Sequence, residues 1–516
     1  MSAFLRSFFT IVAAAGWLSA TPPLQGPFPA QPSSLVRLEA EKQTYHQQME
    51  KADQEIFREV KANSQLMKNI EFLTTRIGPR LTGSPQMQAA SDWSLKRFHD
   101  YGLDAHLETT TIPRSWQRGT ESAEILSPIS RAISVRSIGW GMPTPSTLTG
   151  RVLLLRLRGV RDLEKYAGKL RGVIVLPFEP SAIHGSDESP DNAHSDLSPA
   201  AGRNGSQELS VEERVQLLRV LTQRIAQEGA AAILLDSSKV NGLLNTTDTY
   251  IAGKNVGYDQ PDLPIAFITH EDYALLSRLS SSEAVTMKLH LESVSSSKPV
   301  PTSITVAEIK GSDLPEQRVI LGAHLDSWDL GQGALDNGTG AVAVMEAARA
   351  LKSLGWIPKR TITFILFSGE EEGGTGAKLF ISDHAAEIPQ VDAALVLDSG
   401  TGRVISITLE ELWETGSLMS KIYQPLAETF ALRPLETEYL GQSDHIFFLR
   451  QGVPAYYCVQ SPAHYAEAHH SQSDTFDLVL PDEINQSAAF LAAWAWNVSE
   501  MPSQLPHHAP EPSATK

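Results

Sequence analysis

The sequence predicts an α/β fold, a three-layer sandwich with a mixed but mostly parallel sheet between helices, interrupted by an inserted domain. Three observations predict it. Strand-like apolar runs alternate with helical segments from residue 303 onward. The region 124–298 breaks that alternation with short β runs of its own. Acidic and histidine motifs fall at the ends of the apolar runs, where open α/β sheets build their sites.

In chain order, residues 1–20 hold Arg6, an apolar run from Phe8 to Leu18 and the small pair Ser19-Ala20. They read as a secretory signal peptide cleaved near Ala20, since the run is too short to span a bilayer; an uncleaved anchor is the alternative. Residues 21–62 combine a Pro-rich leader with a polar helix over 35–62. Residues 63–123 open the main domain with helices over 66–76 and 86–102, the second stopping at Tyr101-Gly102, and an extended piece around 104–113. The insertion at 124–298 shows strands at Val152–Leu157, Gly172–Leu176 and Ala230–Leu235, a helix around 211–228, and a polar mobile loop over 183–210.

The main domain resumes over 299–500. Strands are expected at Ile304–Ile309 and Val319–Ala323, then a helix from Gly338 with Ala341, Val344, Ala348 and Leu351 on one face. There follow a strand at Thr361–Phe367, a helix near 375–387, a strand at Ala393–Asp398, a helix near 415–430, a strand at Pro454–Val459 and a helix near 482–498. Residues 501–516 read as a disordered tail.

Composition bounds the functions. The chain of 516 residues is 41% hydrophobic and 20% charged, as soluble globular proteins are. A net charge of -17 excludes a phosphate-backbone partner, so no nucleic acid is expected. Cys458 is the single cysteine, so no intrachain disulfide forms. Export without disulfides suits a bacterial periplasm somewhat better than an animal secretory route. A glycan on the sequon Asn337-Gly338-Thr339 would crowd Asp336, which points the same way. The expected location is secreted or periplasmic, with no membrane span after signal cleavage.

The chemistry lies in G-A-H-L-D-S (322–327), L-D-N-G-T-G (335–340), F-S-G-E-E-E-G-G (367–374), V-L-D-S-G (396–400) and H-H-S-Q-S-D (469–474). Each residue alone has an ordinary reading: a histidine after a strand, a solvated acidic run, a turn aspartate. Jointly they supply the imidazole and carboxylate donors that zinc takes at about 2.0–2.2 Å. Two zincs about 3.5–4 Å apart need a bridge, and an aspartate gives each metal one oxygen. Asp336 takes that role. One zinc is then expected on His324, Asp336 and Asp398, and the other on Asp336, Glu371 and His470, two per subunit. Glu370, facing differently from its neighbour in a strand-end turn, fits the general base.

These segments resemble the zinc-dependent exopeptidase family that includes bacterial leucyl aminopeptidases, glutamate carboxypeptidase and the transferrin receptor. Within it, G-A-H-L-D-S-W-D-L-G-Q-G-A-L-D-N (322–337) is most similar to the carboxypeptidase Q branch, as are R-I-G-P-R-L-T-G-S (76–84) and I-P-R-S-W-Q-R-G-T-E-S-A (112–123), so the likeness spans about 65 to 500. The resemblance implies the same ligands and base, with Asp326 orienting His324. His469 competes with His470, though the H-S-x-x-D-T spacing to Asp474 matches the family from His470. Residues 168–176, 228–235 and 263–269 resemble a protease-associated domain. Ser443-Asp444-His445 resembles a family segment in which His445 could donate to the substrate or its oxyanion; equally, it caps the helix starting there. Trp328, Trp116 and Arg118 are candidate pocket walls, and Cys458 reads as core packing.

The expectation is an exported di-zinc exopeptidase acting on short peptides, by resemblance a dipeptidase and a homodimer. An aminopeptidase on longer peptides shares every metal residue. A non-catalytic receptor-like protein need not keep the full set, and a glutaminyl cyclase-like acyltransferase would hold one zinc.

Overall fold

A computed structural model describes residues 33–157, 160–181, 211–252, 254, 257–441 and 443–510. The expected signal peptide and leader, the loop at 183–210 and residues 511–516 lie outside them. Residues 1–47 and 48–516 form two compact units. The described part of the first is the start of helix α1 (Ser33–Asn63); all the other elements belong to the second.

Helix α2 (Leu66–Phe72) runs into a wider turn at Leu73–Ile77, where one helix was expected. Helix α3 (Pro85–Asp100) starts at Ser84, whose hydroxyl accepts the Met87 N–H at 3.1 Å. It stops before Gly102, which takes the left-handed φ of 80°. Strand β1 (Asp104–Ile112) is followed by β2 (Trp116–Ser127), β3 (Arg131–Ile133), β4 (Val135–Ser137), β5 (Leu148–Leu154) and β6 (Ile174–Leu176). Next come α4 (Val211–Gln227), β7 (Ala232–Asp236), β8 (Ile265–Ile268), α5 (His270–Ser282) and β9 (Thr286–Ser295). Strands β2 to β9 make an eight-stranded mixed sheet in the order β3-β2-β9-β5-β6-β7-β8-β4.

The chain returns through β10 (Val300–Ile309), β11 (Leu314–His324), α6 (Thr339–Leu354), β12 (Arg360–Phe367), α7 (Thr375–Asp383), β13 (Val391–Val396) and β14 (Val404–Thr408). It ends with α8 (Gly416–Phe430), α9 (His445–Leu449), β15 (Ala455–Gln460), α10 (Tyr465–Ala468) and α11 (Pro481–Ser499). These strands and β1 form a seven-stranded sheet, order β1-β10-β12-β11-β13-β15-β14. Its inner strands β12, β11, β13 and β15 run parallel, and β1, β10 and β14 are antiparallel to their neighbours. Ile112 at the end of β1 pairs with Val300 at the start of β10, so the eight-stranded segment leaves and rejoins at one edge.

Every residue of β12 and β13 is buried, which is why they read as unbroken apolar runs rather than alternations. Helix α6 is buried from Thr339 to Leu351, and its buried Glu346 is tolerated because Arg349 meets it at 2.7 Å.

The tail needs correcting over 501–510, which is anchored rather than disordered. Met501 and Leu505 are buried, the Leu505 N–H donates to Asp392 at 2.7 Å, and His507 meets the Val391 carbonyl at 2.8 Å. Polar composition hid two apolar anchors and a buried acceptor waiting for them. Among the described residues no helix is long and apolar enough to cross a membrane.

Candidate active site

The site forms where the order of the parallel strands reverses. From β11 the chain crosses to β12 on one side and then to β13 on the other, which opens a crevice at their carboxyl ends. His324 is the last residue of β11, in register with Phe367, the last of β12. Glu370 and Glu371 follow in the turn after β12, Asp398 lies just past β13, and His470 follows α10. The turn after β12 depends on Gly369: its φ is 73°, and an added Cβ would lie 2.7 Å from the Tyr258 hydroxyl.

Asp336 divides its two oxygens between two donor groups. Oδ1 lies 3.4 Å from His324 Nε2, which is 3.2 Å from Asp398 Oδ1. Oδ2 lies 3.5 Å from His470 Nε2, which is 3.0 Å from Glu371 Oε2. Donor atoms of His324, Asp336 and Asp398 all lie within 4.8 Å of one another, and so do those of Asp336, His469 and His470. The second trio names His469 where Glu371 was expected. His469 stands farther from Asp336, at 3.8 Å, with its ring stacked on His470 at 3.9 Å. His470 touches both Asp336 and Glu371, so geometry favours it.

Behind these groups stand carboxylates that fix the backbone. Asp326 accepts the Glu370 N–H at 3.4 Å, the Glu371 N–H at 3.3 Å and the Thr82 hydroxyl at 3.3 Å. The His324 Nδ1 meets the Asp326 carbonyl at 3.1 Å and its carboxylate at 3.7 Å, so Asp326 steers both loops at once. Asp474 accepts the Leu335 N–H at 2.6 Å and the Asp336 N–H at 3.3 Å. Asn337 bridges the Leu397 carbonyl, at 2.8 Å, and the Gly340 N–H, at 3.0 Å, and so ties the Asp336 loop to β13.

The donor set is strongly anionic for a buried place. Asp326, Asp336, Glu372, Asp398, Asp444 and Asp474 are all buried. Burial pushes the carboxyls of Glu370, Glu371, Glu372 and Asp444 well above the usual range, and that of Asp474 up to about 7. Asp336 goes the other way, because His324, His469 and His470 more than offset its burial. The buried cation Arg80 is spent on the carbonyls of Leu325, Gly333, Gln332 and Gly78. Glu371 Oε1 has no hydrogen-bond partner. A buried array of nitrogen and carboxylate donors in which the carboxylates outnumber the nearby cation Arg80 fits divalent cations, and zinc accepts this ligand mixture.

Residues 305–495 match the model of peptidase family M28. Carboxypeptidase Q of Mus musculus is 31% identical over 445 residues, covering 85% of this chain and 86% of its own. The Homo sapiens protein of that name is 30% identical over 452 residues, covering 86% and 88%. The chain belongs to peptidase family M28. It is a zinc-dependent peptidase. The crystal structure of a peptidase M28 precursor from Shewanella amazonensis superposes with a TM-score of 0.75 at 25% identity, covering 90% of this chain and all of that one. A zinc aminopeptidase from Bacillus subtilis shares the fold, with a TM-score of 0.59 at 18% identity over 83% of this chain and 93% of its own.

In this M28 chain the second sheet helps wall the crevice. Trp328 meets the His470 ring at 5.8 Å and Trp140 at 6.4 Å, and Trp140 stacks on Trp116 at 6.2 Å. Arg118 lies over Trp116 and grips Asp329 through two hydrogen bonds of 2.8 and 2.7 Å, pinning β2 to the loop after β11. His445 is buried 3.5 Å from Glu410, and neither ring nitrogen has a hydrogen-bond partner. It is the first residue of α9, whose start has no side-chain cap, so the capping role expected as its alternative is absent. Cys458 is buried in β15 as core packing. Sequence reasoning passed over Arg80, Asp444, Glu372 and Asp248; Asp474 entered only as spacing. Their signal is tertiary, because nothing in their sequence neighbourhood gives them a role until the loops meet.

Proposed function

We propose that this chain is a di-zinc exopeptidase of the carboxypeptidase Q type, hydrolysing short unblocked peptides. The observation that carries the reading is Asp336, whose two oxygens face two separate sets of ligand atoms. His324 and Asp398 would complete one zinc position, and Glu371 and His470 the other. Bound there, zinc supplies a more acidic water and a polarised scissile carbonyl.

The chain's own side chains do the rest. Glu370 lies in the electrostatic reach of His324 and Asp398, takes the proton of the attacking water and returns it to the leaving amine. Asp326 holds the peptide N–H groups of Glu370 and Glu371 and so keeps base and ligand turned apart. His445 has ring nitrogens available as a donor toward the developing oxyanion.

A dipeptidase is favoured over an aminopeptidase on long peptides by the resemblance to carboxypeptidase Q, and the segment after β7 borders the site. The Thr246 N–H donates to the His470 carbonyl at 3.1 Å and the Leu244 N–H to the Gln472 side chain at 2.8 Å, so this stretch lies against the loop that carries His470. The eight-stranded sheet is proposed as a protease-associated domain, and the protein as an exported homodimer. Dipeptide, tripeptide and tetrapeptide libraries assayed with and without chelator, with zinc counted in the same sample, test the reading. It predicts two zincs per chain, chelator-sensitive turnover and rates falling with length; one zinc, or faster cleavage of tetrapeptides, would overturn it.

A further inference from the structure

His470 has a backbone that is uncommon for a residue with a Cβ. Its φ is 56°, in the left-handed region, and His464, at the start of the same segment, takes 67°. Between them runs α10, a single helical turn. The imidazole stands 3.5 Å from Asp336 Oδ2 and 3.0 Å from Glu371 Oε2. Such a conformation persists only where its surroundings hold it. The other candidate zinc position has no such need, because His324 ends β11 and Asp398 lies just past β13. Main-sheet bonds run to both of these strand ends, from the Leu325 N–H to the Phe367 carbonyl at 2.8 Å and from the Leu397 N–H to the Gly322 carbonyl at 3.1 Å.

The segment that carries His470 is gripped from two sides. The loop that carries Asp336 holds one: the Gln332 N–H donates to the Asp474 carbonyl at 2.6 Å, the Phe476 N–H donates to the Gln332 side chain at 2.8 Å, and Trp328 meets the His470 ring. The stretch after β7, from the second sheet, holds the other. The buried Lys239 ammonium donates to the Ala466 carbonyl at 3.0 Å. The Leu244 N–H donates to Gln472 Oε1 at 2.8 Å, and Gln472 Nε2 donates back to the Gly242 carbonyl at 3.2 Å. The Thr246 N–H, shared with the Asn245 side chain, reaches the carbonyl of His470 itself at 3.1 Å. Ala466 and Gln472 stand on either side of His470, so these bonds bracket it.

We propose that the stretch Lys239–Thr246 is a latch from the second sheet that sets the zinc affinity of one metal position, the one built on Glu371 and His470, and leaves the other position to the main sheet. Lys239, Leu244 and Thr246 are positioning residues, acting through the backbone around His470 and not on metal or substrate. A zinc ligand must keep its distance to within about 0.2 Å, so a segment released on one side loosens that metal first. The inference rests on the two-zinc reading and adds which half of the site depends on the second sheet.

Competition of the full chain with a graded series of chromophoric zinc chelators tests it, since the titration resolves a dissociation constant for each bound zinc. Lys239→Met removes the ammonium donors, Gln472→Met removes both amide bonds, and melting curves check folding. In each variant one constant should rise about threefold to tenfold, the effect of a lost hydrogen bond, while the other changes less than twofold. The same substitutions in a His470→Ala background, where the latched position has already lost its imidazole, should leave the remaining zinc unaffected. Both constants rising together, a weakening that persists in the His470→Ala background, or constants within twofold of wild type in both variants overturns the latch, while a wild type that binds two zincs leaves the two-zinc reading standing. A wild type that binds a single zinc overturns both.

Discussion

Asp326→Asn is the most demanding test of how the site is held. The side chain is buried, and its two oxygens serve the backbone N–H groups of Glu370 and Glu371, the Thr82 hydroxyl and the edge of His324. Asparagine keeps the shape but turns one oxygen into a donor. If the amide nitrogen takes the Oδ1 place, it faces the Glu370 N–H; if it takes the Oδ2 place, it faces the Glu371 N–H. Thr82 can turn to accept, but a backbone N–H cannot, so one buried amide is left without an acceptor. Such a loss costs about 1–3 kcal/mol. Because these contacts are long, at 3.3 and 3.4 Å, about 1–2 kcal/mol is the better figure, or about 5- to 30-fold. The cost should divide between zinc affinity, through His324 and Glu371, and turnover, through Glu370. Activity titrated against buffered free zinc separates the two: the midpoint reports affinity and the plateau reports turnover. Less than a twofold change in both would refute the idea that Asp326 orients the site.

The same geometry sets three further outcomes. Glu370→Ala should keep both zincs and lose about 10²–10⁴-fold in kcat, since the proton shuttle alone is removed; near-normal turnover by steady-state assay argues against the base assignment. His470→Ala should deplete zinc and His469→Ala should not, measured by metal analysis after dialysis; the reverse pattern would hand the ligand role to His469. Asp53, buried with both oxygens near the Asn497 amide at 3.0 and 3.3 Å, is pushed up to about 8 by burial. The folded chain then holds a proton that the unfolded chain releases near pH 4, so this group's contribution to stability falls as pH rises from about 4 to 8. Asp53→Asn should therefore raise the melting temperature at pH 8, with the gain vanishing near pH 4; a gain independent of pH would contradict it.

The inner strands of the main sheet were legible because burial on both faces leaves an unbroken apolar run, as at Thr361–Phe367. Helix α6 declared itself by its apolar spacing; its stop at Gly355, which takes a φ of 70°, came from the structure. Strands β2 and β9 were missed. Both carry polar residues on a partly exposed face, and they pair with each other across a long stretch of chain. Strand β14 escaped for a related reason, as a short run whose pairing partner β15 lies far along the sequence.

His324, Asp336, Glu370, Glu371, Asp398 and His470 could be proposed from sequence because zinc chemistry demands particular donor types and strand ends supply the places for them. Which imidazole meets Glu371, that Asp326 holds two successive N–H groups, and that Asp248 arrives from another sheet to lie by Glu372 were decided by tertiary structure. The physical reason is distance. Donor identity and local periodicity are written in neighbouring residues, whereas a hydrogen bond or a shared charge field depends on angstrom-scale approach between segments far apart in the chain, and that approach is set by packing of the whole core.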